Sequence, residues 1–162
     1  MTFSEKFQKT TDAKHWLGDM EVDHFHYTAG IAGERFFVAL RDKGVILGAP
    51  CASCGITYVP PRIYCEHCFK ELKEAAYSDV GLRGRVRSFT VARLDKDGHE
   101  LEKPELFAVI GFGPETTGLL HKLGGVTPEA VKVGLEVEAV LKPKAEREGR
   151  ITDIEHFRPI TR

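Results

Sequence analysis

A mainly β chain with N-terminal helices, a small cysteine ribbon and then a five-stranded barrel is the fold class this sequence predicts. Three observations carry the expectation. All four cysteines fall in one stretch, as two C-x2-C pairs ten residues apart. Five β-prone runs follow the second pair, and one helical turn is signalled before the fourth run. The clearest helical periodicity lies ahead of the cysteines.

Residues 1–43 form the first region. In Glu34-Arg-Phe-Phe-Val-Ala-Leu-Arg-Asp-Lys43, residues Phe36, Phe37 and Leu40 share one face at helical spacing. Glu34 is expected in the first turn and Arg41 and Lys43 in the last, each complementing the helix dipole. Gly44 is placed to stop the helix. The earlier stretch, with Phe3, Phe7, Trp16 and Leu17, is less periodic and reads as a short helix plus irregular chain.

Residues 44–78 hold the cysteines. Pro60-Pro61 and the short runs Val45-Ile46-Leu47 and Thr57-Tyr58-Val59 predict small hairpins. In Cys51-Ala-Ser-Cys54-Gly55 and Cys65-Glu-His-Cys68, two residues between thiolates make a tight knuckle. Gly55 supplies the left-handed residue such a turn often needs. Two knuckles joined by a hairpin complete a tetrahedral S4 site, which suits zinc first and iron second. Four thiolates fill that shell, so His67 inside the second knuckle is expected to be exposed. A closed four-ligand site leaves no position for substrate, so its expected role is structural. This stretch has few aliphatic core residues, and ligation worth on the order of 10 kcal/mol would stabilise it.

Residues 79–162 read as β. The expected strands are Arg85–Val91, Leu106–Phe112, Thr117–Leu123, Leu135–Leu141 and Ile151–Phe157. Leu135, Val137, Ala139 and Leu141 alternate at strand spacing. Thr127 as N-cap with Pro128 at the first helical position signals the helical turn. Five strands with a helical insert before the fourth is the element count of an OB-fold. An open five-stranded meander satisfies the same count.

Composition sets limits on function. The chain has 162 residues, with 23 Lys plus Arg against 24 Asp plus Glu, for a formal charge of -1. That balance lacks the footprint of a dedicated nucleic-acid binder. The N-terminal stretch has no apolar core of signal-peptide length, and the longest apolar run, Leu106–Phe112, is too short to span a bilayer. A cytoplasmic protein away from membranes is expected, where clustered cysteines are metal ligands rather than disulfides.

The sequence carries no phosphate-binding G-x-x-x-x-G-K-[ST] loop, no dinucleotide-binding G-x-G-x-x-G and no G-x-S-x-G elbow. With four cysteines committed to metal, no thiol remains as a nucleophile. No catalytic residue is therefore assigned. His24 and His26 read as a polar strip, and His121 and His156 as solvent-facing strand positions. Arg83, Arg85 and Arg87 place three guanidiniums at alternate positions on one strand face. Such a stripe could meet a coenzyme A phosphate or an acidic partner surface, or simply face solvent.

Several stretches in order carry a family resemblance. They are Ala32-Gly-Glu-Arg-Phe-Phe37, Gly48-Ala-Pro-Cys-Ala-Ser-Cys-Gly55, Tyr58-Val-Pro-Pro-Arg62, Tyr64-Cys-Glu-His-Cys-Phe-Lys-Glu-Leu72, Gly84-Arg-Val-Arg-Ser-Phe-Thr90 and Val133-Gly-Leu-Glu-Val137. Over roughly residues 28–158 the chain resembles the thiolase-associated, or acyl-CoA-associated, zinc-ribbon/OB-fold proteins, long catalogued as a domain of unknown function. The resemblance implies a helical N-terminus, a rubredoxin-like ribbon and a C-terminal OB-fold. It implies zinc ligation by Cys51, Cys54, Cys65 and Cys68. It also implies the role of a small non-catalytic subunit beside a thiolase-like enzyme, with acyl-CoA shared between them. Members accompany thiolases in archaeal isoprenoid synthesis, steroid side-chain degradation, aromatic polyketide acyl transfer and anaerobic toluene breakdown. The N-terminal length looks most like the small subunits of degradative bacterial thiolases such as benzoylsuccinyl-CoA thiolase.

Three functions compete. An accessory subunit fits the missing nucleophile and the aromatics around the ribbon: Trp16, Phe25, Tyr27, Phe36, Phe37, Tyr58, Tyr64 and Phe69. Those outside the core would form an interface. A single-stranded nucleic-acid module is the alternative, since ribbon and OB-fold combine there and OB-folds stack bases in a basic groove. The balanced charge and the acids Glu66, Glu71 and Glu74 beside Lys70 and Lys73 argue against it. A free-standing enzyme is least supported, because no nucleophile–base pair is recognisable.

Overall fold

The computed structural model describes residues 28–95 and 98–160. The helix expected around Phe3 to Leu17, and His24 and His26, lie outside the described residues. Among the described residues one α-helix is present, α1, Gly30–Lys43. It starts ahead of Glu34, at Gly30, whose N–H donates to the Thr28 hydroxyl at 3.1 Å. Glu34 therefore sits beyond the first turn, which holds no acid, while Arg41 and Lys43 do occupy the last. Gly44 ends α1 in the left-handed region at φ 69°, its N–H shared between the carbonyls of Ala39 and Leu40. Among the described residues no helix is long and apolar enough to cross a membrane.

The cysteine region forms a three-stranded antiparallel sheet. Its strands are β1 (Leu47–Pro50), β2 (Thr57–Tyr58) and β3 (Ser78–Asp79), in the order β2-β1-β3. Next come β4 (Arg83–Leu94), β5 (Glu100–Gly111), β6 (Gly118–Leu123), β7 (Glu136–Leu141) and β8 (Ile154–Pro159). These five close into a barrel of order β4-β5-β6-β8-β7. Strand β8 inserts between β6 and β7, parallel to the first at Leu123–Phe157 and antiparallel to the second. Strand β4 closes the circle on β7, with Arg83 opposite Glu138. A meander would keep neighbours in chain order, so this crossover settles the architecture as a five-stranded OB barrel.

The boundaries differ from expectation for local reasons. Strands β4 and β5 extend beyond the apolar runs as a solvent-exposed arm, with Leu94 opposite Glu100. Pro104 falls at the register shift between Ala92 and Leu94, where a missing N–H is tolerated. Strand β8 starts at Ile154 because Ile151–Asp153 forms a 3-10 turn. At Thr127–Ala130 one turn forms, its Thr127 carbonyl accepting the N–H groups of Ala130 and Val131 at 3.1 Å.

Two cores result. The larger joins Phe36 and Leu40 of α1 and Ile46 and Val59 of the ribbon to the barrel residues Val86, Leu106, Ala108, Ile110, Leu119, Leu123, Val137, Ile154 and Phe157. Helix and barrel thus share one apolar interior. The smaller lies inside the ribbon and consists of Ala49, Cys51, Tyr58, Cys65 and Leu72, with Cys54 and Cys68 packed against it. Three of those five core residues are cysteines or the tyrosine. Burial of this core alone offers little of the roughly 25 cal/mol per Å2 that apolar packing supplies.

Candidate metal centre and neighbouring surfaces

The cysteines are positioned by two knuckles of matching backbone. Cys51 stands at the end of β1, and its N–H donates to the Ile56 carbonyl at 2.8 Å. Its own carbonyl accepts from Cys54 and Gly55. In the second knuckle the Cys65 N–H donates to the Lys70 carbonyl, and the Cys65 carbonyl accepts from Phe69 at 2.9 Å. Gly55 has φ 72°, the left-handed conformation expected of it.

The four sulfurs converge. All lie within 4.8 Å of one another, with Cys51 to Cys68 at 3.6 Å and Cys54 to Cys65 at 3.8 Å. Zinc–sulfur bonds of about 2.3 Å arranged tetrahedrally put sulfurs about 3.8 Å apart, so the cage fits that ion. Its electrostatics point the same way. The Tyr58 hydroxyl lies 3.2 Å from Cys65 Sγ and also accepts the Glu66 N–H. That hydroxyl is the main reason the Cys65 thiol is lowered to about 6; burial opposes it, and the His67 and Cys68 amides assist. Cys54 moves the other way, to about 12, chiefly through its hydrogen bond with Cys68 and then burial. Four crowded thiols cannot all ionise side by side, and a bound dication removes that conflict. Cys51 and Cys65 are buried, Cys54 and Cys68 half-buried, and His67 is exposed. All four cysteines of the chain belong to this cage.

The arginine stripe is divided by the structure. Arg83, Arg85 and Arg87 all line one groove of about 810 Å3, together with Gly84, Phe112 and Glu136. Arg85 pairs with Glu136 at 2.6 Å, and Arg83 lies 3.8 Å from Glu138. Arg87 has a different job. Its guanidinium lies across Gly111, where any Cβ would collide with it, and donates to the carbonyls of Thr116 and Gly113, each at 2.6 Å. The same loop is gripped from the ribbon side. Thr57 donates to the Glu115 carbonyl, Thr117 donates to the Thr57 carbonyl, and Val59 donates to Thr117 Oγ1 at 2.7 Å. Arg87 is thus a clamp on the joint between ribbon and barrel.

His121 departs from the expected solvent-facing position, whereas His156, next to the fully buried Phe157, stays half-exposed. His121 alternates with Leu119 and Leu123, the buried residues of β6, so it points inward and stacks edge-on against Phe157 at 5.6 Å. Burial holds its pKa below the usual histidine value. The His156 ring lies against Gly124, where a Cβ would collide with it.

An apolar groove of about 710 Å3 runs where α1, the Pro60–Ile63 turn and β6 meet. Ile31, Ile63, Leu120 and Ile151 line it and are 54%, 45%, 65% and 37% exposed. Leu120 is out because its β6 neighbours Leu119 and His121 face in. Sequence reasoning missed this groove, the Tyr58–Cys65 contact and the Arg87 clamp. The L-L-H pattern at 119–121 is the one signal that could have revealed part of it.

This geometry has relatives. Residues 39–73 match the family model of the ChsH2 rubredoxin-like zinc ribbon domain, and residues 77–142 match that of the ChsH2 C-terminal OB-fold domain. A scaffold protein of Pyrococcus furiosus containing a DUF35 domain is 31% identical over 129 residues, covering 78% of this chain and 91% of the relative. The chain belongs to the DUF35 family. A second DUF35 scaffold protein, from Methanocaldococcus jannaschii, is 28% identical over 130 residues, with 75% and 86% coverage. The crystal structure of a DUF35 protein of unknown function from Sulfolobus solfataricus superposes with a TM-score of 0.56 at 36% identity, covering 68% of this chain and 78% of that one. The DUF35 chain fold also recurs in the Ltp2-ChsH2(DUF35) aldolase, with a TM-score of 0.58 at 22% identity over 83% of this chain and 98% of that one.

Proposed function

We propose that this DUF35 chain is a non-catalytic accessory subunit of a thiolase-type acyl-CoA acyltransferase, with zinc on Cys51, Cys54, Cys65 and Cys68 as a structural ion. The observation that carries the reading is that every thiol of the chain lies in one cage, while among the described residues a groove lined by four exposed aliphatic side chains is left open. A closed S4 ion holds backbone in place and offers no reacting position. Exposed apolar patches of that kind mark protein interaction sites. Two relatives are named as scaffold proteins, and one structural neighbour is a DUF35 chain in an aldolase with a second protein, Ltp2. These support a scaffold role beside an enzyme.

Acyl-CoA enters the reading at the arginine groove. Arg83 and Arg85 hold carboxylates at the surface and can exchange them for phosphate oxygens, while Arg87 is occupied with the loop carbonyls. The balance of 23 Lys plus Arg against 24 Asp plus Glu still weighs against a nucleic-acid backbone, whose binding rests on excess cationic charge.

The test is purification of the chain from its native host, or co-expression with a thiolase-type enzyme of the same host. The expected result is a stable hetero-oligomer that elutes as one species. Elution of the chain alone, with thiolase activity indifferent to its presence, refutes the reading. Within the complex, Arg83→Ala with Arg85→Ala should weaken acyl-CoA binding about tenfold, and unchanged binding removes the arginines from the site.

A further inference from the structure

The two ribbon knuckles match in backbone and differ in one side chain. In each, the residue after the second cysteine donates its N–H to the carbonyl of the first. Gly55 does so to Cys51 at 2.8 Å, and Phe69 does so to Cys65 at 2.9 Å. Both have positive φ, 72° and 57°. Glycine adopts that conformation without strain, whereas a side chain there crowds its Cβ against a carbonyl. Phe69 is the one non-glycine residue at positive φ among the described residues. Packing among the described residues does not offset the strain, because Phe69 is 79% exposed, more than any other large hydrophobic residue among them.

The neighbourhood extends the surface. The Leu72 N–H donates to the Ile63 carbonyl, Tyr64 bridges to Glu71, and Cys65 donates to Lys70, so residues 63–72 form a small hairpin with the knuckle at its tip. Ile63 and Tyr64 on that hairpin are 45% and 57% exposed. Ile63 also lines the apolar groove, so hairpin and groove adjoin. Backbone strain held at an exposed aromatic points to function, since folding alone would favour glycine.

We propose that Phe69 is a docking anchor, inserting from the second knuckle into an apolar pocket on the catalytic partner. The proposal rests on the accessory-subunit reading and adds the contact. An exposed phenyl ring gives large contact area at low conformational cost, as binding hot spots require. The surrounding charge selects protein over nucleic acid. Arg62 pairs with Glu66 at 2.6 Å, and the Lys70 ammonium donates to Ser53 Oγ at 2.7 Å. Glu66 and Glu71 stand exposed on the same hairpin, where they would repel phosphates.

The experiment compares the full chain with Phe69→Gly in two assays, the urea midpoint of the metal-loaded chain and the affinity for the thiolase-type subunit. The substitution should raise the midpoint by about 0.3 M, because strain is relieved. It should weaken association at least tenfold. Phe69→Asn tolerates the left-handed conformation and keeps a Cβ, so it should show the same loss of affinity without any loosening of the knuckle that glycine brings. Unchanged affinity in both variants overturns the anchor, and so does a fall in midpoint in both that parallels the loss of affinity. A single-stranded oligonucleotide shifted by the native chain and released by Phe69→Gly overturns it in favour of base stacking. If the native chain itself does not bind the enzyme, the accessory-subunit reading fails and the anchor falls with it, an outcome distinct from failure in the variants alone.

Discussion

Asp153 offers the sharpest test of how this barrel is held. It is the one fully buried charged residue among those described, and it faces the turn at 148–150. Its Oδ1 accepts the Glu148 N–H at 3.0 Å, and its Oδ2 accepts those of Gly149 at 2.7 Å and Arg150 at 3.2 Å. Burial alone would raise the carboxyl, but these three donors together hold it below the usual aspartate value. Asp153→Asn keeps the shape and can keep both bonds at Oδ2. It sets an NH2 group against the Glu148 N–H and makes the other two bonds neutral. A hydrogen bond to a charged group is worth about 1.5–3 kcal/mol, and easier burial of the neutral amide returns part of it. A net loss of about 2 kcal/mol is expected. With a urea m-value of about 2 kcal/mol/M, the midpoint falls by about 1 M. The sign with pH follows from the lowered pKa. The unfolded chain binds the proton more readily, so this stabilisation is complete above the ordinary aspartate value and is lost as pH falls through the folded one. The variant lacks that acid-side slope. A midpoint shift below 0.2 M, or an unchanged slope between about pH 5 and 3, would refute the reasoning.

Three further outcomes are expected. Arg87→Ala removes the clamp on the Gly113 and Thr116 carbonyls and should cost about 1–2 kcal/mol in urea denaturation, with Arg83→Ala near zero by comparison because its ion pair is long and exposed. The purified chain should carry one equivalent of zinc or iron, and Cys65→Ser or a strong chelator should abolish ribbon protection in hydrogen exchange; a folded ribbon with less than one equivalent of metal contradicts the cage assignment. His121 has a lowered pKa through burial, so its contribution is full above about pH 6.5 and declines as pH falls through that value toward the folded one; His121→Phe should flatten this part of the stability profile measured between pH 7.5 and 5.

Much of this was legible from residue order because it depends on local chemistry. Two C-x2-C pairs commit their sulfurs to one cage through turn geometry, and the Gly44 stop needs only a residue tolerant of positive φ. The OB-fold family match likewise agrees with the strand count. What stayed hidden depends on distant partners. Arg87 reads as one of three equivalent arginines until the barrel brings residues 113–116 beneath it, 26–29 positions away. Asp153 lies in a run that reads as alternating strand, and the 3-10 turn that buries it follows from hydrogen bonds to residues 148–150. His121 was recoverable in principle. Anchoring the period of two on Leu119 and Leu123 puts it on the inner face. Phe69 was also recoverable, by aligning the two knuckles and asking what replaces Gly55.

On the accessory-subunit reading, the joint between ribbon and barrel would let a metal with no open coordination position govern an interaction. Zinc in the cage would fix the two knuckles and, through Tyr58, the strand β2 that leads from the first of them. Thr57 and Val59 pass that placement to Glu115 and Thr117, and Arg87 ties the same loop to β4. The apolar groove draws its walls from α1, the turn after Val59 and β6, which begins one residue after Thr117. Each wall is thus within one or two hydrogen-bonded steps of the cage or joined to the shared core through Phe36. Loss of the ion would release β2 and the proline turn first, because the ribbon core has little aliphatic packing of its own. The groove would lose one wall while the barrel stayed closed. On the accessory-subunit reading, metal removal should therefore abolish partner binding at metal concentrations where the barrel is still folded, and simultaneous loss of both would place the ion's influence in the barrel instead.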